Sequence, residues 1–363
     1  MIRTPSTDLD PTSDVARLTA TLLDIESVSG NELVIADAVE RTLNGLGHLE
    51  VVRDGDCVLA RTNLGRAERV ILAGHLDTVP LPTTPGARGT VPSSWDGDVL
   101  YGRGATDMKG GVAVQLALAA ALTEPTRDIT FIFYDHEEVE ASLSGLGRVA
   151  RSHPDWLVAD FAVLLEPTDG TVEGGCNGTA RFEARVTGRA AHSARAWMGE
   201  NAIHGAADIL VRLRDHEPAT VHVDGLEYRE SLNAVRISGG TAGNVIPDAA
   251  VIEVNYRFAP DKSPEQAEEY VRTLLEGFSV ERTDAAAGAR PGLQHPAAAA
   301  FVAAVGAEPK PKYGWTDVAR FSALGIPAVN FGPGDPLLAH TDDEHDHADA
   351  VRECLRALTT WLS

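Results

Sequence analysis

Cysteine is scarce in this chain, and so is positive charge. Only three cysteines occur in 363 residues. Cys57, Cys176 and Cys354 lie far apart and in no C-x-x-C arrangement, so neither a disulfide framework nor a cysteine-based zinc site is expected. A reducing, cytoplasmic compartment suits such a chain. Lysine and arginine number 31 against 53 aspartates and glutamates, a formal net charge of −22, which argues against nucleic acid or an anionic membrane as a partner. No run approaches the roughly 18 consecutive apolar residues of a membrane span, and the N-terminal MIRTPSTDLDPTSD lacks the apolar core of a signal peptide, so neither membrane insertion nor secretion is expected.

What is present is an alternation of short apolar runs with helical patterns. DVARLTATLLDI carries an apolar stripe at helical spacing, HLEVV, CVLAR and RVILAG read as strands, VAVQLALAAAL as a buried helix, and DITFIFY and FAVLLE as buried strands. Strands alternating with helices predict an α/β domain with a mostly parallel sheet covered on both faces. Beyond Gly174-Gly175 the pattern changes. ARFEARVTG alternates apolar and polar residues like a half-exposed antiparallel strand, followed by a helix at ENAIHGAADILVRLRD, strands at LNAVRISGG and AVIEVNYRFA, and a helix at SPEQAEEYVRTLLEGF. The first style resumes after ERTDAAAGARPG. The expected organisation is a discontinuous first domain, residues 1–177 and 289–363, interrupted by an α+β domain of residues 178–288.

Chemistry gathers where the apolar runs end. GHLDTVP leaves His75 at the carboxyl end of a strand, the edge at which α/β folds bind ligands, with Asp77 placed to accept the other ring N–H and raise imidazole basicity. YGRGATDMKGG sets Asp107 between glycines just before a buried helix; it can cap that helix, or its two oxygens can bridge two cations. DITFIFYDHEEVE runs a buried strand into His136-Glu137-Glu138, where closely spaced carboxylates repel one another unless a cation or a shared proton neutralises them. If that stretch stays extended, Glu137 and Glu138 point oppositely, one toward a metal and the other toward a water proton. FAVLLEPTDG ends another apolar strand in Glu166. Near the other end of the chain, GPGDPLLAH offers His340, while His345 and His347 fall in an acidic, exposed helix start. Each residue alone has an ordinary structural explanation, but two histidines and three carboxylates arriving in order at strand ends suit zinc better than calcium or magnesium.

GHLDTVP, YGRGATDMKGG, HEE, LLEPT and GPGDPLLAH, in matching order across nearly the whole chain, resemble the M20 family of zinc-dependent peptidases and amidohydrolases. The resemblance implies an α/β catalytic domain whose mostly parallel sheet is flanked by helices, with residues 178–288 as an inserted α+β lid and dimerisation domain. It further implies two Zn2+ ions, one replaceable by Co2+ or Mn2+, bridged by Asp107. His75 and Glu166 would complete one site and Glu138 and His340 the other, with Glu137 as general base and a cis peptide after Asp107. GCNGTAR, GRAAHSARAWMGENAIH, GGTAGNVIPDA, NYRFAPD and KYGWTDVARF narrow the likeness to a branch that removes a succinyl group from a diamino dicarboxylic acid. In that branch His192 reaches the partner subunit's active site in a homodimer, and Asn244 and Arg257 contact the substrate.

The sequence departs from that pattern twice. Many relatives read Asp-Glu-Glu where this chain has His136-Glu137-Glu138, and many carry an Arg pair where it has Cys176-Asn177. Recognition of substrate carboxylates then falls to other groups, among them Arg181, Arg195 and the amides around Trp315-Thr316-Asp317. The expected substrate is a small N-acyl amino acid. Another deacylase of the family, such as an acetylornithine deacetylase or an aminoacylase, and a catalytically silent binding protein remain open as alternatives.

Overall fold

The structure, a computed structural model, describes residues 7–363. The chain divides into two compact units, Met1–Gly174 with Gly292–Lys310 and Arg320–Ser363, and Gly175–Pro291 with Pro311–Ala319.

The first unit is built on a mixed sheet. Its strands run in the order Glu50–Asp54, Cys57–Arg61, Asp128–Tyr134, Arg69–His75, Phe161–Leu164, Ala328–Asn330 and Glu173–Gly174, with the Lys310 amide bonded to the Val172 carbonyl beyond. The four strands from Asp128–Tyr134 to Ala328–Asn330 are mutually parallel, and the flanking strands pair antiparallel. Near-continuous apolar runs are what such strands require, because both faces are covered. Val70 and Leu72 join one large core with helices Val15–Leu23, Leu33–Asn44, Gly110–Ala121, Pro296–Val305 and Ala348–Leu362, while Ile71 and Ala73 are equally buried outside it. Helix Gly145–Ser152 helps to cover that other face: a Cβ on Gly145 would stand 2.5 Å from the Cys57 sulfur. No helix among the described residues is long and apolar enough to cross a membrane.

The second unit carries a four-stranded antiparallel sheet, ordered Ser231–Gly239, Ala249–Phe258, Gly178–Thr187 and Ser279–Ala286. Period-two alternation divides its faces. Ala180, Phe182, Ala184, Ile252, Val254 and Tyr256 pack against helices Ala202–Asp215 and Pro264–Leu274. Thr179, Arg181, Asn255 and Arg257 occupy the other face. Both helices start where the sequence marks them: the Asn201 side chain accepts from the amides of Ile203 and His204, and Ser263 and Gln266 form a reciprocal cap with Pro264 in the first turn.

One expectation holds only in part. His345–His347 is a short strand antiparallel to Val99–Tyr101, and only His347 stands at the helix start, as the N-cap of Ala348–Leu362. There the His345 ring lies against Tyr101 at 4.7 Å between centroids.

Candidate metal centre

Six of the residues singled out from the sequence converge in the first unit. His75 ends its strand at the carboxyl edge of the sheet and is 1% exposed. Its Nε2 lies 2.9 Å from Asp107 Oδ1. His340 Nε2 lies 3.0 Å from Glu138 Oε1 and 3.4 Å from Asp107 Oδ2. Three groups have their ligand atoms within 4.8 Å of one another: His75, Asp107 and Glu166; His75, Glu137 and Glu138; and Asp107, Glu138 and His340. Asp107 belongs to two of them, one oxygen turned to each histidine, which is the geometry of a bridging carboxylate. The peptide after Asp107 is cis.

The donor set fits a cation. Among the described residues no lysine or arginine pairs with Asp107 or Glu138, whose only cationic partners are the two imidazoles. Carboxylates so crowded and so little exposed repel strongly unless neutralised. The titration of the histidines registers that field. Hydrogen bonds to Asp107 and Glu138 push the pKa of His340 up to about 10. Burial alone would lower the pKa of His75, but its hydrogen bond to Asp107 and the charges of Asp107, Asp77 and Glu137 raise it well above the ordinary imidazole value. For Asp107, burial pushes upward, yet hydrogen bonds from His340 and His75 hold it well below the usual carboxylate range.

Two details differ from the sequence reading. The nearest acceptor for His75 Nδ1 is the Asp77 backbone carbonyl at 3.0 Å, with the Asp77 carboxylate at 3.6 Å. That carboxylate instead accepts from the amides of Glu137 at 3.0 Å and Glu138 at 3.1 Å, and from Ser29 Oγ at 2.7 Å. Asp77 thus fixes the backbone of the acidic pair. Nor do Glu137 and Glu138 part by strand alternation. The strand stops at Tyr134, His136 takes a left-handed backbone with φ 57°, and both carboxylates then come close to His75. A non-glycine residue in that region is strained, and such positions cluster at functional sites. His136 is held there by Asp135 Oδ2 at 2.8 Å and buried Glu32 at 3.5 Å.

Three further residues at this edge escaped the sequence reading. Arg103 and Glu344 form an ion pair, 3% and 1% exposed, and Lys109 is buried with Nζ 2.7 Å from the Ile25 carbonyl and its pKa lowered by burial to about 7. A signal existed for two of them: basic residues flanking an aspartate inside a glycine-rich stretch of an acidic chain. Glu344, inside DDEHDH, offered none.

The remaining predicted residues lie in the second unit. His192 is exposed, pairs with Val245 across two short strands, and accepts the Ala194 amide at its Nδ1 at 3.1 Å. The Asn244 carbonyl accepts from the Ser193 amide, which makes Asn244 its close neighbour. Arg257 sits half-buried on the polar sheet face opposite Thr179, its pKa lowered by burial and by Arg181.

The chain belongs to peptidase family M20/M25/M40, whose profile matches residues 71–363. It is thereby a hydrolase, and the candidate metal-binding cluster lies within the matched region. It is 55% identical over 357 residues, 98% of this chain and 99% of the relative, to DapE of Mycobacterium tuberculosis, named provisionally as a succinyl-diaminopimelate desuccinylase. It is 44% identical, with 98% of each chain covered, to the succinyl-diaminopimelate desuccinylase of Corynebacterium glutamicum. Among solved structures it matches a tripeptidase from Staphylococcus aureus with a TM-score of 0.77 at 21% identity, covering 98% of both chains. It also matches the Bacillus subtilis YXEP protein, described as a dinuclear metal-binding peptidase of the M20 family, with a TM-score of 0.68 at 17% identity and 96% of both chains covered.

Proposed function

We propose that the chain hydrolyses the amide of N-succinyl-LL-2,6-diaminopimelate, releasing succinate and LL-2,6-diaminopimelate for diaminopimelate and lysine synthesis. The observation that carries this reading is the convergence of His75, Asp107, Glu137, Glu138, Glu166 and His340 at one sheet edge in a chain matched end to end by desuccinylases.

His75 and Glu166 would hold one cation, Glu138 and His340 the second, and Asp107 both. Zinc suits this mixed nitrogen and oxygen set, with Co2+ or Mn2+ able to replace it at one position. Bound there, it would make water acidic enough to yield a nucleophile near neutral pH and polarise the scissile carbonyl. Glu137 takes the proton of the attacking water on a carboxylate oxygen and returns it to the departing amine. Asp77, through the Glu137 and Glu138 amides, keeps base and ligand in register.

The second unit supplies recognition. We assign residues 178–288 as lid and dimerisation domain and residues 1–177 and 289–363 as catalytic domain. Ser231–Gly239 is an edge strand with Val235 and Ile237 exposed, beside Ile203, Leu210 and Val211 exposed on helix Ala202–Asp215. An open edge with apolar side chains favours pairing with a second copy, and in that homodimer His192 and Asn244 serve the partner's reaction. Arg257 and Arg181 are neighbours without a carboxylate partner among the described residues, which suits capture of a substrate carboxylate. Three buried free cysteines fit a cytoplasmic enzyme.

Assays of N-succinyl-diaminopimelate, N-acetylornithine and a dipeptide with zinc-loaded protein test the substrate; preference for either of the latter two would refute it. Glu137→Gln should keep its metal and lose roughly 10²–10⁴-fold in turnover. Retention of turnover within a few-fold would remove Glu137 from its role.

A further inference from the structure

The two histidines of the cluster are aimed by different means. His75 closes a strand paired on both sides and is 1% exposed, so the sheet and its packing fix the ring. The His340 side chain is 49% exposed, its φ is 63°, and it lies in a loop outside any helix or strand. Side-chain packing cannot hold such a ring; its backbone must.

That backbone is stitched to the turn carrying Asp107. Glu344 Oε1 accepts from two successive amides, Thr106 N and Asp107 N, each at 3.1 Å. Glu344 Oε2 accepts from Arg103 Nη1 at 2.7 Å, and the same Nη1 donates to the carbonyl of Thr341, the residue after His340, at 3.1 Å. The Gly102 amide donates to the Glu344 carbonyl at 3.1 Å, and Thr106 Oγ1 to the His345 carbonyl at 2.7 Å. A buried ion pair is costly to desolvate and contributes little net stability. Here its hydrogen bonds join two loops, one from each end of the chain, that each deliver a ligand.

We propose that Arg103 and Glu344 are positioning residues that set Asp107 against His340 and so decide whether the second cation is held. This rests on the two-cation reading above. Neither residue touches a cation or substrate; both act through the Asp107 amide and the Thr341 carbonyl. Because Arg103 Nη1 alone makes both of that side chain's contacts, a lysine ammonium in its place can replace them, whereas methionine cannot.

The test is calorimetric titration of zinc into metal-free full-length protein, with thermal melts and turnover alongside, for the native chain, Arg103→Met, Arg103→Lys and Glu344→Gln. The native chain should bind two ions. Arg103→Met and Glu344→Gln should hold the first with affinity within about threefold of the native chain and the second at least tenfold more weakly, with Arg103→Lys restoring it. If Arg103→Met does not fold, Glu344→Gln against Arg103→Lys carries the same comparison. Two ions bound natively by Arg103→Met and Glu344→Gln, or equal weakening of both sites, would overturn the proposal. A native chain that binds one ion would remove the two-cation reading, and the proposal with it.

Discussion

The His75 side and the His340 side of the cluster present similar donors and differ in nearly everything that holds them. His75 and Glu166 are 1% and 5% exposed; His75 ends its strand and Glu166 follows Phe161–Leu164 by two residues, both from the parallel centre of the sheet. On the other side the Glu138 and His340 side chains are 9% and 49% exposed and lie in loops entered or formed through left-handed residues. The donors alone therefore do not make the two positions equal. On the proposed reading, a cation on the first side would meet a buried set held by the sheet, while one on the second would meet ligands kept in place by loop hydrogen bonds, so the two should differ in affinity and exchange rate.

The largest effect comes from the residue the two sides share. Asp107→Ala should release both cations and cost turnover about a thousandfold or more, since Lewis-acid activation is worth several kcal/mol. Zinc content by mass spectrometry with kcat measures it, and turnover within tenfold of native would break the idea of one carboxylate serving both sides. Next come the histidines themselves. His340→Asn should leave one cation bound through dialysis against a mild chelator, while His75→Asn should lose that tight one. Equal retention in the two variants would mean that burial does not separate the sides.

A smaller effect is expected at Asp77, which grips the loop of the acidic pair from below. Asp77→Asn keeps an acceptor for one amide and sets an amide nitrogen against the other, so affinity or turnover should fall by about 10–100-fold, as for other groups that orient ligands. Zinc titration and steady-state kinetics would read it, and an unchanged variant would show that the left-handed His136 turn holds Glu137 and Glu138 unaided.

The same contrast explains what could be read from the chain. The buried side was legible because strands covered on both faces are apolar runs, and a histidine or glutamate ending such a run has few reasons to be there. In the second unit the two long helices and three strands of the larger sheet were legible from their periods, but its fourth strand, Ser279–Ala286, and the hairpin of Thr220–Val223 with Leu226–Arg229 were not. The exposed side was not. Nothing local shows that DDEHDH pairs with Val99–Tyr101 to form a strand, because that pairing spans more than 240 residues. Nor does sequence reveal that a glutamate within an acidic run is 1% exposed and bonded to Arg103. The turn at His136 could not be read because Asp77 and Glu32, from outside the segment, join the neighbouring Asp135 in holding it.

The mildest test concerns the support of the exposed side. Asp346 lies six residues beyond His340, is 3% exposed, and has one oxygen bonded to the His347 amide and the other without a partner. Burial raises its pKa to about 7; the His347 amide offsets part of that rise and the charge of Asp169 adds to it. Because the folded value exceeds the unfolded one, its contribution to stability is fully present below the ordinary aspartate value of 3.8 and is lost as pH rises through about 7. Asp346→Asn should therefore leave turnover at neutral pH unchanged, yet gain stability relative to the native chain between pH 4 and pH 8, by roughly 1–4 kcal/mol over that span. Urea unfolding of the metal-free proteins at the two pH values measures it, since most other titrating groups cancel in the comparison. A native-to-variant difference that does not change with pH would mean that Asp346 ionises normally and does not loosen the segment behind His340.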